Sequence, residues 1–288
     1  MKKKIVGILV CTLLIATAVP AVGILNIKKQ SNGTTSYEAD VPVWEVGDSW
    51  TYNEHYNEFA YKNDGTLLLA WYHNCTSTYT VTNTTGDSYK VKLTSKNNQG
   101  SLIVGSIRLK YTPFTKLSQE LEHRKTDLAY KGWIHQEKGF VFWLLGKIGL
   151  PIPAHFSLVT EASFSPAEEL IPFPLTPGKT GTFSNYSMIG HQKMSLYFGL
   201  IKLSDSNFSY NTSAQDYICE MTNITVPAGP YEAYNISTDV GSAQNFSYLY
   251  YVPQVGSYAK ISRHLELDGS GKPTMNYEHE LVSTNYSP

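Results

Sequence analysis

The side chains in this chain with the reactivity for chemistry are few and dispersed. Eight histidines stand at His55, His73, His123, His135, His155, His191, His264 and His279, without the close pairs of a zinc site. Glu168 and Glu169 form an acidic pair, but neighbours on a short helix point apart, and a favourable charge at a helix N-terminus is the simpler reading. A glycosidase needs two carboxylates facing across a cleft, which spacing in the chain does not display. Neither a phosphate-binding nor a dinucleotide loop occurs, nor a His-Glu-x-x-His or Gly-x-Ser-x-Gly motif. On these grounds no catalytic, cofactor-binding or metal-ligating residue is assigned, and a surface hydrolase is the weakest functional reading.

Two cysteines, Cys75 and Cys219, lie beyond the apolar N-terminus that holds Cys11. In an oxidising compartment an isolated pair reads as a disulfide. Closing so long a loop is worth on the order of 4–5 kcal/mol in the chain-entropy view. Two free buried thiols are the alternative; the absence of Cys-x-x-Cys spacing disfavours metal.

The densest chemical signal is acceptor chemistry for sugars. Asn-x-Ser/Thr sequons begin at Asn32, Asn74, Asn83, Asn185, Asn207, Asn211, Asn223, Asn235, Asn245 and Asn285, against about three for random placement. They imply a chain that meets an oligosaccharyltransferase outside the cytoplasm. Residues 1–25 agree. Lys2, Lys3 and Lys4 precede an apolar run from Ile5, and Ala21 and Gly23 offer a cleavage site. Drawn to Leu25, the run is also long enough for an uncleaved anchor. Both readings place the rest outside the cytoplasm, secreted or membrane-anchored. Loss of the first 23 residues would take the net charge from −1 to −4, and no basic stripe exists to neutralise phosphates, so nucleic acid is excluded as a partner.

The elements that must carry these residues read as strands. Residues 26–41 are polar and aperiodic, a flexible spacer. From residue 42 to 284 the chain reads as an extracytoplasmic β domain, with possible halves at 42–165 and 172–284. Charged residues are only 16% while tyrosine reaches 21 copies, a composition suited to hydroxyl-wetted strands. Gly47-Asp48 predicts a turn, with Trp50 and Tyr52 sharing one face of the next strand. Tyr89, Val91 and Leu93 alternate with polar residues, and Leu102 to Tyr111 repeats the pattern after a turn at Asn97 to Gly100. Ser118 to Tyr130 is ambiguous between strand and polar helix. Ser165-Pro166-Ala167-Glu168 carries a helix-start signature, ended by Pro172. Strands are then predicted at Thr182–Met188, Met194–Leu203, Tyr217–Val226, Tyr231–Thr238, Ser247–Val252 and Tyr258–Leu267. A turn at Asp268 to Gly271 leads into Met275–Val282. The fold class is all-β, mainly antiparallel: a large curved meander sheet or half-barrel with one or two short helices, after an N-terminal signal or anchor helix. The segment Val43–Tyr52 echoes Phe173–Phe183, each a Gly-centred turn entering an aromatic strand; it marks either two related half-sheets or a coincidence of turn chemistry.

The most apolar run after the leader is Gly139 to Pro153. It is too short and broken to span a membrane. It reads either as a buried strand with a core-packing loop or as an exposed apolar surface that docks on a bilayer or lines a lipid cavity. In the second reading the contact residues are Phe140, Phe142, Trp143, Leu144 and Leu145. No sequon falls between Asn83 and Asn185, as a sugar-free contact face requires, although buried strands also lack sequons.

Two C-terminal pieces, Val226-Pro-Ala-Gly-Pro-Tyr231 and Tyr250-Tyr-Val-Pro-Gln-Val-Gly-Ser-Tyr258, together with the turn at Pro174 to Phe183, resemble a group of secreted β-sheet proteins. In that group a "VPAGxF" strand start is followed by a "YxPxVG" turn. Tyr231 stands here in the Phe place. The resemblance covers roughly 172–284, more weakly 42–112, and looks like the lipoprotein-carrier type of fold, of archaeal surface proteins. It implies a half-barrel around an apolar cavity, with Gly229 and Gly256 in turns and Pro253 at a strand end. It carries no catalytic residue. Three functional readings follow: a non-enzymatic binding protein for lipid, another apolar ligand or a membrane surface; a structural component of a cell-surface layer, with other surface glycoproteins as partners; and a hydrolase. No cofactor is implied.

Overall fold

The computed structural model describes residues 38–61, 65–104, 107–112, 114–145, 150–239, 246–266 and 273–288. They form one antiparallel sheet of fifteen strands. In chain order these are β1 (Ser49–Tyr61), β2 (Leu67–Thr84), β3 (Ser88–Val104), β4 (Ile107–Tyr111), β5 (Lys116–Arg124), β6 (Tyr130–Leu145), β7 (Leu150–Glu168), β8 (Thr180–Phe183), β9 (Ser187–Leu196), β10 (Ile201–Asn211), β11 (Gln215–Val226), β12 (Gly229–Asp239), β13 (Phe246–Val252), β14 (Ser257–Glu266) and β15 (Pro273–Thr284). The order across the sheet is β10-β9-β7-β6-β4-β3-β2-β1-β15-β14-β13-β12-β11-β8. Strand β5 pairs with both β3 and β6, as β4 does farther along the same two strands. The pair β4 and β5 therefore act as one strand interrupted at Thr112–Thr115. All of this is the antiparallel β architecture expected from the alternation.

Chain connectivity forces the sheet to roll. Strand β8 lies at one end of the order and β9 next to the other end, yet only residues 184–186 join them. That link spans at most about 14 Å when extended. Residues 212–214 impose the same limit between β10 and β11. The two ends of the sheet must face each other across a seam, and they remain unpaired there among the described residues. The result is a rolled, unclosed barrel whose inner side chains form a single core.

That core is aromatic. Trp44, Trp50, Tyr52, Tyr130, Tyr251 and Tyr258 are fully buried. The two N-terminal tryptophans are held by the C-terminal turn that the resemblance singled out. Trp44 Nε1 donates to the Gly256 carbonyl at 3.3 Å and Trp50 Nε1 to the Val255 carbonyl at 2.6 Å. Pro253–Val255 form a short 3-10 turn, and Gly256 adopts a left-handed φ of 62°. A Cβ there would meet the Tyr286 ring at 2.5 Å, so glycine is required on two counts.

The internal echo is geometric as well. Asp48 N–H donates to Glu45 O, and Lys179 N–H to Thr176 O, each closing a four-residue turn. Gly47 N–H reaches Val81 O of β2, and Gly178 N–H reaches Cys219 O of β11. Both glycines have positive φ, 107° and 82°. The same turn thus introduces β1 and β8 and docks each on its neighbouring strand.

Several local expectations are overturned by the ladders. The helix predicted at Ser165–Pro172 is absent: Ser165 pairs with Ser187 and Glu168 with Tyr130 as β7 runs on, and cis peptides precede Pro166 and Pro174. Strand pairing on both sides outweighs a local capping signature. The only helical pieces among the described residues are the 3-10 turns Tyr197–Gly199 and Pro253–Val255. Ser118–Arg124 is strand, with Leu117, Gln119, Leu121 and His123 all buried at period two. Asn97–Gly100 is not a turn but a bulge inside β3, where Lys96 faces Thr76 and Gln99 faces Asn74. Leu102–Tyr111 is the hairpin of β3 and β4, and Met194–Leu203 breaks at Tyr197–Gly199. The turn at Asp268–Gly271 lies outside the described residues, between the paired strands β14 and β15.

The expected disulfide is also absent. Cys75 and Cys219 are both free and buried. Cys75 lies on β2 against Ser77 and Glu54, while Cys219 lies on β11, six strands along the sheet.

Candidate functional site

Strand alternation divides the apolar run of β6 between two faces. Val141 points inward and is fully buried. Trp143 also points inward, opposite buried Leu109, and packs against the core and Tyr197 at a ring separation of 6.0 Å. Phe140 and Phe142 point outward and are 47% and 40% exposed. Leu144 is half-buried, and the Leu145 side chain lies outside the described residues. The predicted set is therefore not one surface. Trp143 belongs to the core, because its parity differs from that of the two phenylalanines.

Tertiary structure supplies the missing members. Phe114, in the interruption between β4 and β5, is 72% exposed; Phe198 and Leu200, after β9, are 77% and 87% exposed. The His155 ring joins them, stacking on Phe198 at 4.4 Å and meeting Phe140 edge-on at 5.9 Å. Phe198 reaches it from a left-handed backbone, φ 57°, a conformation that costs energy for a bulky residue. Thr112 and Thr115 both donate their hydroxyls to the Phe140 carbonyl, fastening the Phe114 loop to β6. Gly139 makes this possible, since a Cβ there would sit 2.1 Å from Phe114 O. Phe114, Phe140, Phe142, Pro153 and His155 line an open groove of about 710 Å³.

The groove is rimmed by cations. Lys116 pairs across the strands with Lys138, Lys110 stands beside Phe142 and Arg108 beside Leu144. All four are exposed, and none forms an ion pair among the described residues. No Asp or Glu occurs in 107–118, 138–160 or 188–204, the three stretches that build this end of the sheet. That absence was legible in the sequence and was the signal that could have joined Phe114 and Phe198 to the β6 residues.

The sequons lie elsewhere. Asn74, Asn83, Asn185, Asn207, Asn211, Asn223 and Asn285 are exposed and Asn235 is half-buried; Asn32 and Asn245 lie outside the described residues. Asn285 is engaged, its amide donating to Gly47 O at 3.1 Å.

Inside the barrel, histidines far apart in sequence converge. His279 Nε2 lies 2.6 Å from Glu54 Oε1, His73 bonds Asn98 at 3.1 Å, and His135 lies 3.8 Å from Glu137. Burial works to raise the Glu137 carboxyl, but the attraction of His135 and then His73, with a hydrogen bond from the Tyr111 hydroxyl at 2.9 Å, outweighs it and holds it below its usual range. Among the described residues no cluster of His, Cys, Asp and Glu is arranged to hold a metal ion. Among the described residues this part of the interior is filled: the space among Glu54, Trp71, His73 and His135 is only about 30 Å³. Stacked Trp, Tyr and His rings fill this region, where the half-barrel resemblance implies an apolar cavity. No helix among the described residues is long and apolar enough to cross a membrane.

Comparison of the chain with protein-family models, curated proteins and solved structures finds no match.

Proposed function

We propose that this is an exported, N-glycosylated, non-enzymatic β protein that docks on an anionic lipid bilayer through the groove of Phe114, Phe140 and Phe142. The observation that carries the reading is the pairing of that exposed aromatic groove with Arg108, Lys110, Lys116 and Lys138 on an acid-free end of the sheet. Aromatic side chains favour the headgroup boundary, and each nearby lysine or arginine adds about 1 kcal/mol of attraction to an anionic surface. The sugar-free span from Asn83 to Asn185 contains β4 to β7, so no sequon-borne glycan starts on these strands. Residues 1–25 fit export, as a cleaved signal or as an anchor that keeps the sheet beside the membrane.

The test is sedimentation of residues 26–288 with vesicles. Binding to vesicles rich in anionic lipid, little binding to purely zwitterionic ones, and at least a tenfold loss in the double variant Phe140→Ser, Phe142→Ser are expected. Equal binding of variant and wild type, with both folded, would remove the basis of the proposal. The exposed sequons on the other strands favour, as a second reading, a component of a glycosylated surface layer; co-purification with envelope glycoproteins independent of lipid would select it.

A further inference from the structure

The seam where the two ends of the sheet face each other encloses a second space, of about 200 Å³, remote in composition from the aromatic groove. Phe164 and Met188 line it from one side of the seam, Ile236, Leu249 and Leu265 from the other. Polar side chains line the rest of the chamber, among them Glu168, Glu169, Tyr186, Tyr210 and Arg263. Glu168, at the end of β7, is 7% exposed. Its Oε1 accepts a hydrogen bond from the Tyr186 hydroxyl, and its Oε2 is buried without a partner among the described residues. Arg263, on β14, lines the chamber opposite and donates through Nε to Ser247 Oγ at 3.1 Å. Its charge acts on Glu168, yet no ion pair within 4 Å joins them among the described residues. A cation and a partly unsatisfied carboxyl thus flank a partly apolar space without closing on each other. A buried polar atom without a partner calls for an explanation, and a ligand in a pocket with convergent polar groups supplies one.

We propose that the seam pocket binds an apolar carboxylate, its chain among the residues of the seam and its head between Arg263 and Glu168. Arg263 supplies the charge that neutralises the carboxylate. Glu168 in its protonated form supplies an O–H donor to the second ligand oxygen. An ammonium head is disfavoured because Arg263 would repel it.

The groups that face Glu168 agree with this assignment. Burial raises its carboxyl to about 7, against the lowering effects of the Tyr186 hydrogen bond and of Arg263. Tyr130 of β6 faces it as a neutral phenol, its ionisation opposed by burial and by Glu168, and Tyr210 lies beyond Tyr186. Glu169, next in the chain, also lines the chamber; burial and then Asp127 raise its carboxyl, while Lys179 and Arg124 act to lower it. Near neutral pH Glu168 is therefore partly protonated, and a bound carboxylate keeps it so. As pH rises past 7 the ionised Glu168 repels the ligand head, and binding weakens.

The experiment titrates the full chain, held in zwitterionic lipid discs, with carboxyl-labelled octanoate read by NMR, with empty discs as the blank. One saturable site per chain is expected, with octanol and octylamine weaker. Affinity falls roughly tenfold or more between pH 6 and 8.5 as the competent protonation state is depleted. Arg263→Met lowers affinity at least tenfold, Arg263→Lys less, and Glu168→Gln flattens the pH dependence. Phe140→Ser with Phe142→Ser leaves it unchanged, which separates this site from the bilayer-docking reading. Absence of saturable binding above the blank, preference for octylamine, or octanoate affinity indifferent to pH would overturn the proposal. The last three comparisons use the wild-type chain, so they decide the matter even if Arg263→Met does not fold.

Discussion

Glu54 and His279 stand directly opposite each other where the first and last strands of the sheet pair, with Oε1 and Nε2 2.6 Å apart. His279 is fully buried, and its other ring nitrogen bonds the Tyr258 hydroxyl at 3.1 Å. Burial alone would raise the Glu54 carboxyl. Attraction and hydrogen bonding from His279, then Ser77 and His73, outweigh it and hold the group below its ordinary value. A depressed carboxyl contributes stability that is complete above the unfolded value near 4.5 and is lost as pH falls through the folded value. Denaturant titrations from pH 7 to 3 are expected to show steep loss below that point in wild type. Glu54→Gln flattens that slope. His279→Ala costs about 2–3 kcal/mol at pH 7, because it leaves the largely buried Glu54 carboxylate with only the Tyr79 hydroxyl and the Cys75 thiol as donors.

Glu168 has the opposite sign. Its folded value, near 7, lies above the usual 4.5, so the folded state holds the proton longer than the unfolded chain. Stability from this group is complete below 4.5 and falls as pH rises to 7, by about 3 kcal/mol for a shift of that size. Glu168→Gln is expected to be more stable than wild type at pH 8 and close to it at pH 4.5, measured by urea unfolding without added carboxylate.

Trp50→Phe removes the donor to the Val255 carbonyl and shrinks a fully buried ring stacked near Tyr286 at 5.9 Å. An orphaned carbonyl and lost packing together cost about 2–3 kcal/mol. Thermal melting read at the tyrosine near-UV band checks this.

Lys116→Glu with Lys138→Glu reverses two charges beside the aromatic groove. Binding to anionic vesicles is expected to fall at least tenfold at 0.1 M salt, at on the order of 1 kcal/mol per site. Wild-type binding itself weakens as salt rises. Both lysines are exposed, so the melting temperature stays within about a degree or two.

The free thiols make a sharp chemical prediction. Burial raises Cys219 to about 11, and burial together with the Glu54 charge raises Cys75 further. Alkylation near pH 8 is expected to be slow in the folded protein, with both cysteines modified after unfolding without reductant. A mass two units lower in the unreduced chain would instead reveal a disulfide.

The strands were largely legible because period two is local: Met275, Tyr277, His279 and Leu281 alternate in the sequence and are all buried in β15. Turn chemistry was equally local at Gly47, Gly229 and Gly256, all with positive φ. Local rules misled where a neighbour strand captured the chain, as at Ser165–Glu168, and where parity divided an apolar run, as at Trp143.

From the sequence alone came an antiparallel β protein with marked turns, a sequon-free apolar segment and candidate residues Phe140 and Phe142, since each depends only on neighbours in the chain. Tertiary structure alone decided that Phe114 and Phe198 join them, that Cys75 and Cys219 stay apart, and that Glu168 faces Arg263 across a seam. Those outcomes depend on which strands meet when short links at 184–186 and 212–214 roll the sheet, and no local pattern encodes the closure of a roll.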